Sequence, residues 1–97
     1  MIFKIIFTSG AEEDIQNAID YYFSKAGQKV ASDFYSDLNS SLDSIERNPY
    51  YQVRFKDFRV LPLRKFPYII FFELFEDIKI VKIIAVFNTY QNSEKYP

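Results

Sequence analysis

Tyr68-Ile69-Ile70-Phe71-Phe72-Glu73-Leu74-Phe75, then Glu76-Asp77, then Ile78-Lys79-Ile80-Val81-Lys82-Ile83-Ile84-Ala85-Val86-Phe87 is the stretch that decides the fold. Both runs are rich in β-branched and aromatic residues, which suit a pleated, packed surface, and a two-residue polar break joins them. They read as two strands of an antiparallel hairpin. Their nearly continuous apolar character marks them as the central strands of a sheet. Upstream, Val53 to Phe55 and Arg59 to Lys65 read as further strands. Pro62 and Pro67 cannot donate ladder hydrogen bonds, so the segment carrying them should lie near an edge, bend or end there.

North of Pro49 the period changes from two to between three and four. Ala11, Ile15, Ile19, Tyr22 and Phe23 form one apolar stripe, and Val30, Phe34, Leu38, Leu42 and Ile45 form a second, so two helices are expected. Ser9 with Glu12 makes a capping-box pattern at the start of the first helix. Gly27 suits its left-handed end, and Asn48-Pro49 closes the second. The link between them has room only for a tight turn, which predicts an antiparallel helical hairpin. Met1 to Phe7 reads as a first strand that pairs back with a later one. The expected fold is α+β: an N-terminal strand, a two-helix hairpin, then three to four antiparallel strands forming a curved sheet packed on the helices. With 97 residues, two Gly and four Pro, one domain over residues 1–97 is expected.

Composition narrows the chemistry. The chain holds no Cys and no His, which removes thiolate zinc sites, the cysteine nucleophile and the commonest general base. The carboxylates are scattered along helical segments, so no metal and no cofactor is expected. No apolar run reaches the length of a membrane span and no cleavage site follows the first strand, so cytoplasmic residence and no membrane partner are expected. The net charge of −1 hides an asymmetry: Ala11 to Asn48 carries eight acids against three bases, while Val53 to Phe66 carries five bases against Asp57 alone. One acidic and one basic region follow. The eleven Phe and eight Tyr exceed what a core of this size readily hides, so uncovered aromatic surface is expected.

Several pieces of this chain resemble the RelE/ParE toxin superfamily of type II toxin-antitoxin systems, in particular its ParE-like branch. They are Ala11-Glu12-Glu13-Asp14-Ile15 with Ala18-Ile19-Asp20-Tyr21-Tyr22, the spacing of Ala31, Phe34, Leu38, Ile45 and Pro49, the Arg59 to Phe72 segment around Phe66-Pro67-Tyr68, and Ile80 to Phe87 followed by Asn88-Thr89-Tyr90-Gln91-Asn92. The resemblance implies a plasmid-stabilisation-like toxin that inhibits growth and is held by a cognate antitoxin. It also implies one of two activities, ribosome-dependent mRNA cleavage or poisoning of DNA gyrase by binding.

Metal-free RNA cleavage needs a base, a cation for the phosphate and an acid for the leaving oxygen. The positions after Phe87 lack the cation that the nucleases carry there, and Tyr68 replaces a basic residue. Arg59, Arg64, Lys65 and Tyr96 are the remaining catalytic candidates, with Lys95 beside the tyrosine. Even spacing could set Arg59 and Lys65 on one face of a strand with Arg64 opposite. Arg54, Arg59, Arg64 and Lys65 are the candidates for contact with a target. The favoured expectation is a toxin that acts by protein contact, with gyrase as the target the resemblance implies, without direct specific DNA binding. The alternatives are a ribosome-dependent endonuclease and a degenerate member that only binds an antitoxin.

Overall fold

The computed structural model describes residues 2–90 and 96–97. The chain runs β1 (Lys4–Phe7), α1 (Ser9–Ala26), α2 (Gln28–Arg47), β2 (Val53–Phe55), β3 (Phe58–Pro62), β4 (Tyr68–Phe75) and β5 (Ile80–Asn88). The strands form one sheet in the order β1-β5-β4-β3-β2, so the two most apolar runs are central. β2 to β5 pair antiparallel in sequence order, while β1 returns to lie parallel to β5, with Lys4 opposite Ile80 and Phe7 opposite Ile83. A parallel return needs a crossover, and the helical hairpin provides it.

Both helices lie on one face of the sheet. Phe34, Leu38 and Ile45 of α2 are fully buried against Ile70 and Phe72 of β4 and Val81 and Ile83 of β5, and Ile15, Ile19, Tyr22 and Leu42 pack around them half-buried. An aromatic cluster closes one end: the Phe34 ring lies 5.5 Å from Tyr22, 5.5 Å from Phe66 and 5.1 Å from Tyr68.

Local details depart from the sequence reading. Thr8, not Ser9, caps α1: its Oγ1 accepts the Ala11 N–H at 3.0 Å. Any hydroxyl residue in extended backbone can cap, and the end of β1 leaves Thr8 extended. Gly27 has the positive φ of 91° that favours glycine, but its ψ of 177° is extended, so this one residue ends α1 and starts α2. Phe23, expected on the buried stripe, is exposed because the stripe turns past it at Tyr22. The strand expected over Arg59 to Lys65 spans Phe58 to Pro62 and stops at the proline, which cannot continue the ladder. The last strand starts at Ile80, since Glu76–Ile78 form a single 3-10 turn and Lys79 adopts a left-handed conformation.

β5 carries a bulge. Its pairing with β4 passes from Phe71–Ala85 to Phe72–Ile83, leaving Ile84 unopposed. The bulge sits where β1 runs out, and two side chains from the start of α1 take over its hydrogen bonds. Thr8 Oγ1 donates to the Ile84 carbonyl at 3.1 Å, and Asp14 Oδ2 accepts the Val86 N–H at 3.1 Å. Backbone groups on a strand edge must find partners, and α1 supplies them in place of a longer β1.

Candidate functional site

The face of the sheet opposite the helices is lined by alternate residues of the strands, Phe58 and Val60, Ile69 and Phe71, then Ala85 and Phe87, with Ile84 of the bulge and Phe55 of β2 beside them. Phe71, Ala85 and Phe87 are buried although neither α1 nor α2 covers them. The cover comes from Tyr96. Its ring meets Phe87 at 4.8 Å, Phe71 at 5.0 Å and Phe55 at 5.3 Å between centroids, each edge to face, the arrangement that ring quadrupoles favour. Beside this cluster a cleft of about 380 Å³ opens between Arg54, Phe55, Val60, Pro62, Ile69, Phe71 and Tyr96.

The cations picked out in the sequence do not converge. Arg54 is exposed on β2 and lines the open-face cleft. Arg59 is half-buried, and its Nη1 donates to the Tyr51 carbonyl at 2.6 Å, which commits the guanidinium to holding the segment before β2. Arg64 and Lys65 lie beyond the end of β3, in the turn to β4, so strand alternation does not govern them. Both line a cleft against α2 with Asp33, Ser36, Asp37 and Ser40, and Arg64 also faces Ser44 and Arg47. Tyr96 and Arg54 thus share one face, and Arg64 and Lys65 sit near the helices. In the tail, Thr89 N–H and Oγ1 both donate to the Pro67 carbonyl, at 2.8 and 3.1 Å, and Asn88 Oδ1 accepts the Tyr90 N–H. Gln91, Asn92 and Lys95 fall outside the described residues.

Two carboxylates that shape these surfaces were not singled out from sequence. Asp37 is buried, and its Oδ2 accepts the Lys65 N–H at 2.8 Å and the Phe66 N–H at 3.1 Å, clamping the β3–β4 turn to α2. Asp14 bonds Val86. Both had a legible signal: Asp37 falls on the stripe of Phe34, Leu38 and Ser41, and Asp14 on that of Ala11, Ile15 and Ala18, where an acid has no reason to be unless something inside needs an acceptor. Burial raises the carboxyl of Asp14 above its ordinary range, and the Val86 N–H only partly offsets this. Burial also pushes the Tyr22 hydroxyl up to about 12, with Tyr68 adding to the shift. At the surface, Tyr50 donates to Glu76 Oε1 at 2.8 Å, and that hydrogen bond holds its proton above the usual tyrosine range.

Sequence comparison decides the family. The model of the ParE toxin of type II toxin-antitoxin systems (parDE) matches residues 5–92, nearly the whole chain. The chain belongs to the ParE toxin family. A comparison with curated protein sequences gives no match. Among solved structures, this toxin superposes on the chromosomal ParDE toxin-antitoxin system of P. aeruginosa with a TM-score of 0.78 at 16% identity, covering 90% of this chain and 96% of that one. It superposes on the intact E. coli RelBE complex with a TM-score of 0.63 at 18% identity, covering 89% and 95%. For the RelBE2 complex of Mycobacterium tuberculosis the values are 0.59, 14%, 91% and 99%. At these identities the likeness shows a shared α+β fold. Among the described residues no helix of this ParE-family toxin is long and apolar enough to cross a membrane.

Proposed function

We propose that this toxin of a type II toxin-antitoxin system acts by protein contact and performs no chemistry of its own, in the cytoplasm and under the control of a cognate antitoxin. The observation that carries the reading is the seat of Tyr96. Its ring packs edge to face among Phe55, Phe71 and Phe87 on an apolar face, and of the described candidate cations only Arg54 lines the cleft beside it. Metal-free RNA cleavage needs a cation, a base and an acid around one phosphate, and losing one such stabilising contact typically slows a reaction on the order of 100-fold or more. Among the described residues, Arg59 bound to Tyr51, and Arg64 and Lys65 beside α2, do not come together in that constellation.

The target that the family resemblance implies is DNA gyrase, with Arg54, Arg64 and Lys65 as contact candidates and Arg59 supporting them. An antitoxin that binds by burying apolar surface fits the side chains left uncovered around the helical hairpin. Exposed Phe7 and Tyr35 line a groove together with Ile15, Leu38 and Leu42, and Tyr21 and Phe23 are exposed elsewhere on α1.

Purified toxin is added to a translating ribosome system and, separately, to a gyrase supercoiling assay. The expected result is intact mRNA at the ribosomal A site, inhibited supercoiling, and inhibition unaffected by Tyr96→Phe. Codon-positioned cleavage that disappears in Tyr96→Phe would overturn the reading in favour of a ribosome-dependent endonuclease. Absence of growth arrest together with retained antitoxin binding would mark a member that has lost toxicity.

A further inference from the structure

Tyr96 fills only part of the open face. Beside its ring the cleft between Arg54, Val60, Pro62, Ile69 and Phe71 keeps about 380 Å³ of space, room for one or two large side chains. Its walls are apolar, and among the described residues its one charged liner is Arg54. Lys56 stands next to it with Nζ 5.3 Å from the Phe55 ring centroid, and no carboxylate of the described residues lines the cleft.

We propose that this cleft is a docking socket for an acidic protein segment, which inserts a large apolar side chain beside Tyr96 and sets a carboxylate against Arg54. Nucleic acid is the poorer fit. It would need a row of phosphate contacts and exposed ring faces for base stacking, whereas the cleft offers one guanidinium and the rings of Phe55, Phe71 and Phe87 are already engaged edge to face by Tyr96. An apolar anchor in a dry pocket with a rim charge is, in contrast, the usual composition of a protein hot spot. That the segment belongs to the toxin's cellular target rests on the protein-contact reading; the socket itself does not.

The test uses the full chain, followed by amide NMR, titrated with acetyl-Glu-Phe-Asp-amide and with acetyl-Lys-Phe-Lys-amide. The acidic peptide should move the amides of Arg54, Val60, Ile69 and Phe71 and bind about tenfold more tightly than the basic one, a preference that Arg54→Glu should invert. Arg54 is exposed, so the variant should keep its fold, visible as unchanged amide positions in α1 and α2. Shifts confined to the helices, equal binding of the two peptides, or indifference to Arg54→Glu would each overturn the proposal. Tighter binding of a single-stranded RNA oligonucleotide at the same amides, or self-association of the toxin through this face, would overturn the choice of occupant. A toxin that passes the peptide titration but cleaves mRNA defeats the protein-contact reading and leaves the socket standing. A toxin that inhibits gyrase with a silent titration does the reverse.

Discussion

Removing the Asp37 carboxylate should loosen the one turn that carries two of the candidate contact residues. Asp37 Oδ2 accepts both the Lys65 and Phe66 N–H groups from a buried position on α2, bridging 28 and 29 residues of chain. Hydrogen bonds to a charged group contribute about 1.5 to 3 kcal/mol each, so two of them set a ceiling of about 3 to 6 kcal/mol. Lys65 is exposed and Phe66 half-buried, so water can reach the freed N–H groups in part, and the expected cost of Asp37→Ala lies near the lower end, about 3 kcal/mol. Asp37→Asn keeps an acceptor oxygen and loses only the charge, so about half that cost should remain. Urea unfolding of the three proteins reads the difference as a shift in midpoint at constant slope. Amide hydrogen exchange adds a local readout, with Lys65 and Phe66 exchanging faster in Asp37→Ala than amides of β4. If Asp37→Ala unfolds within about 0.5 kcal/mol of the parent, the range of an ordinary surface substitution, the clamp is not what holds this turn.

Phe34 and Leu38 are both fully enclosed, so truncating either to Ala should cost about 2 to 5 kcal/mol, and thermal unfolding that leaves both variants at the parent midpoint would contradict the core. Tyr22 gives an alkaline signature: its folded pKa of about 12 lies above the ordinary value, so its contribution is complete below about pH 10 and is lost as pH rises toward 12. Alkaline unfolding should therefore be shallower in Tyr22→Phe, and identical pH profiles would refute this. Asp14 gives the acid counterpart, since its raised pKa means its contribution is present at low pH and declines as pH rises through the folded value. Asp14→Asn, which keeps an acceptor for Val86, should gain on the parent between pH 3 and pH 7 in thermal melts; a loss over that interval would show that the charge itself is needed.

The sequence by itself determined the elements and their kinds. Alternating and near-continuous apolar runs specified β4 and β5, and the two stripes specified α1 and α2, because each signal is local and repeats over several residues; the single Pro62 did not fix where β3, expected to reach Lys65, stops. The family followed from the order and spacing of the same pieces. What only the tertiary structure decided were the contacts between residues far apart in the chain. The parallel return of β1, the bulge at Ile84 relieved by Thr8 and Asp14, and the clamp of Asp37 on the β3–β4 turn all join partners separated by tens of residues, and periodicity carries no information about such pairings. The same holds for the candidate site. Arg54, Arg59, Arg64 and Lys65 are neighbours in sequence, but the end of β3 at Pro62 and the pull of Asp37 send them to different surfaces, while Tyr96, remote from all of them, comes to rest against Phe55, Phe71 and Phe87. Burying its ring against these three removes apolar surface from water, and that gain, invisible in a pattern of residues, places Tyr96 on the open face.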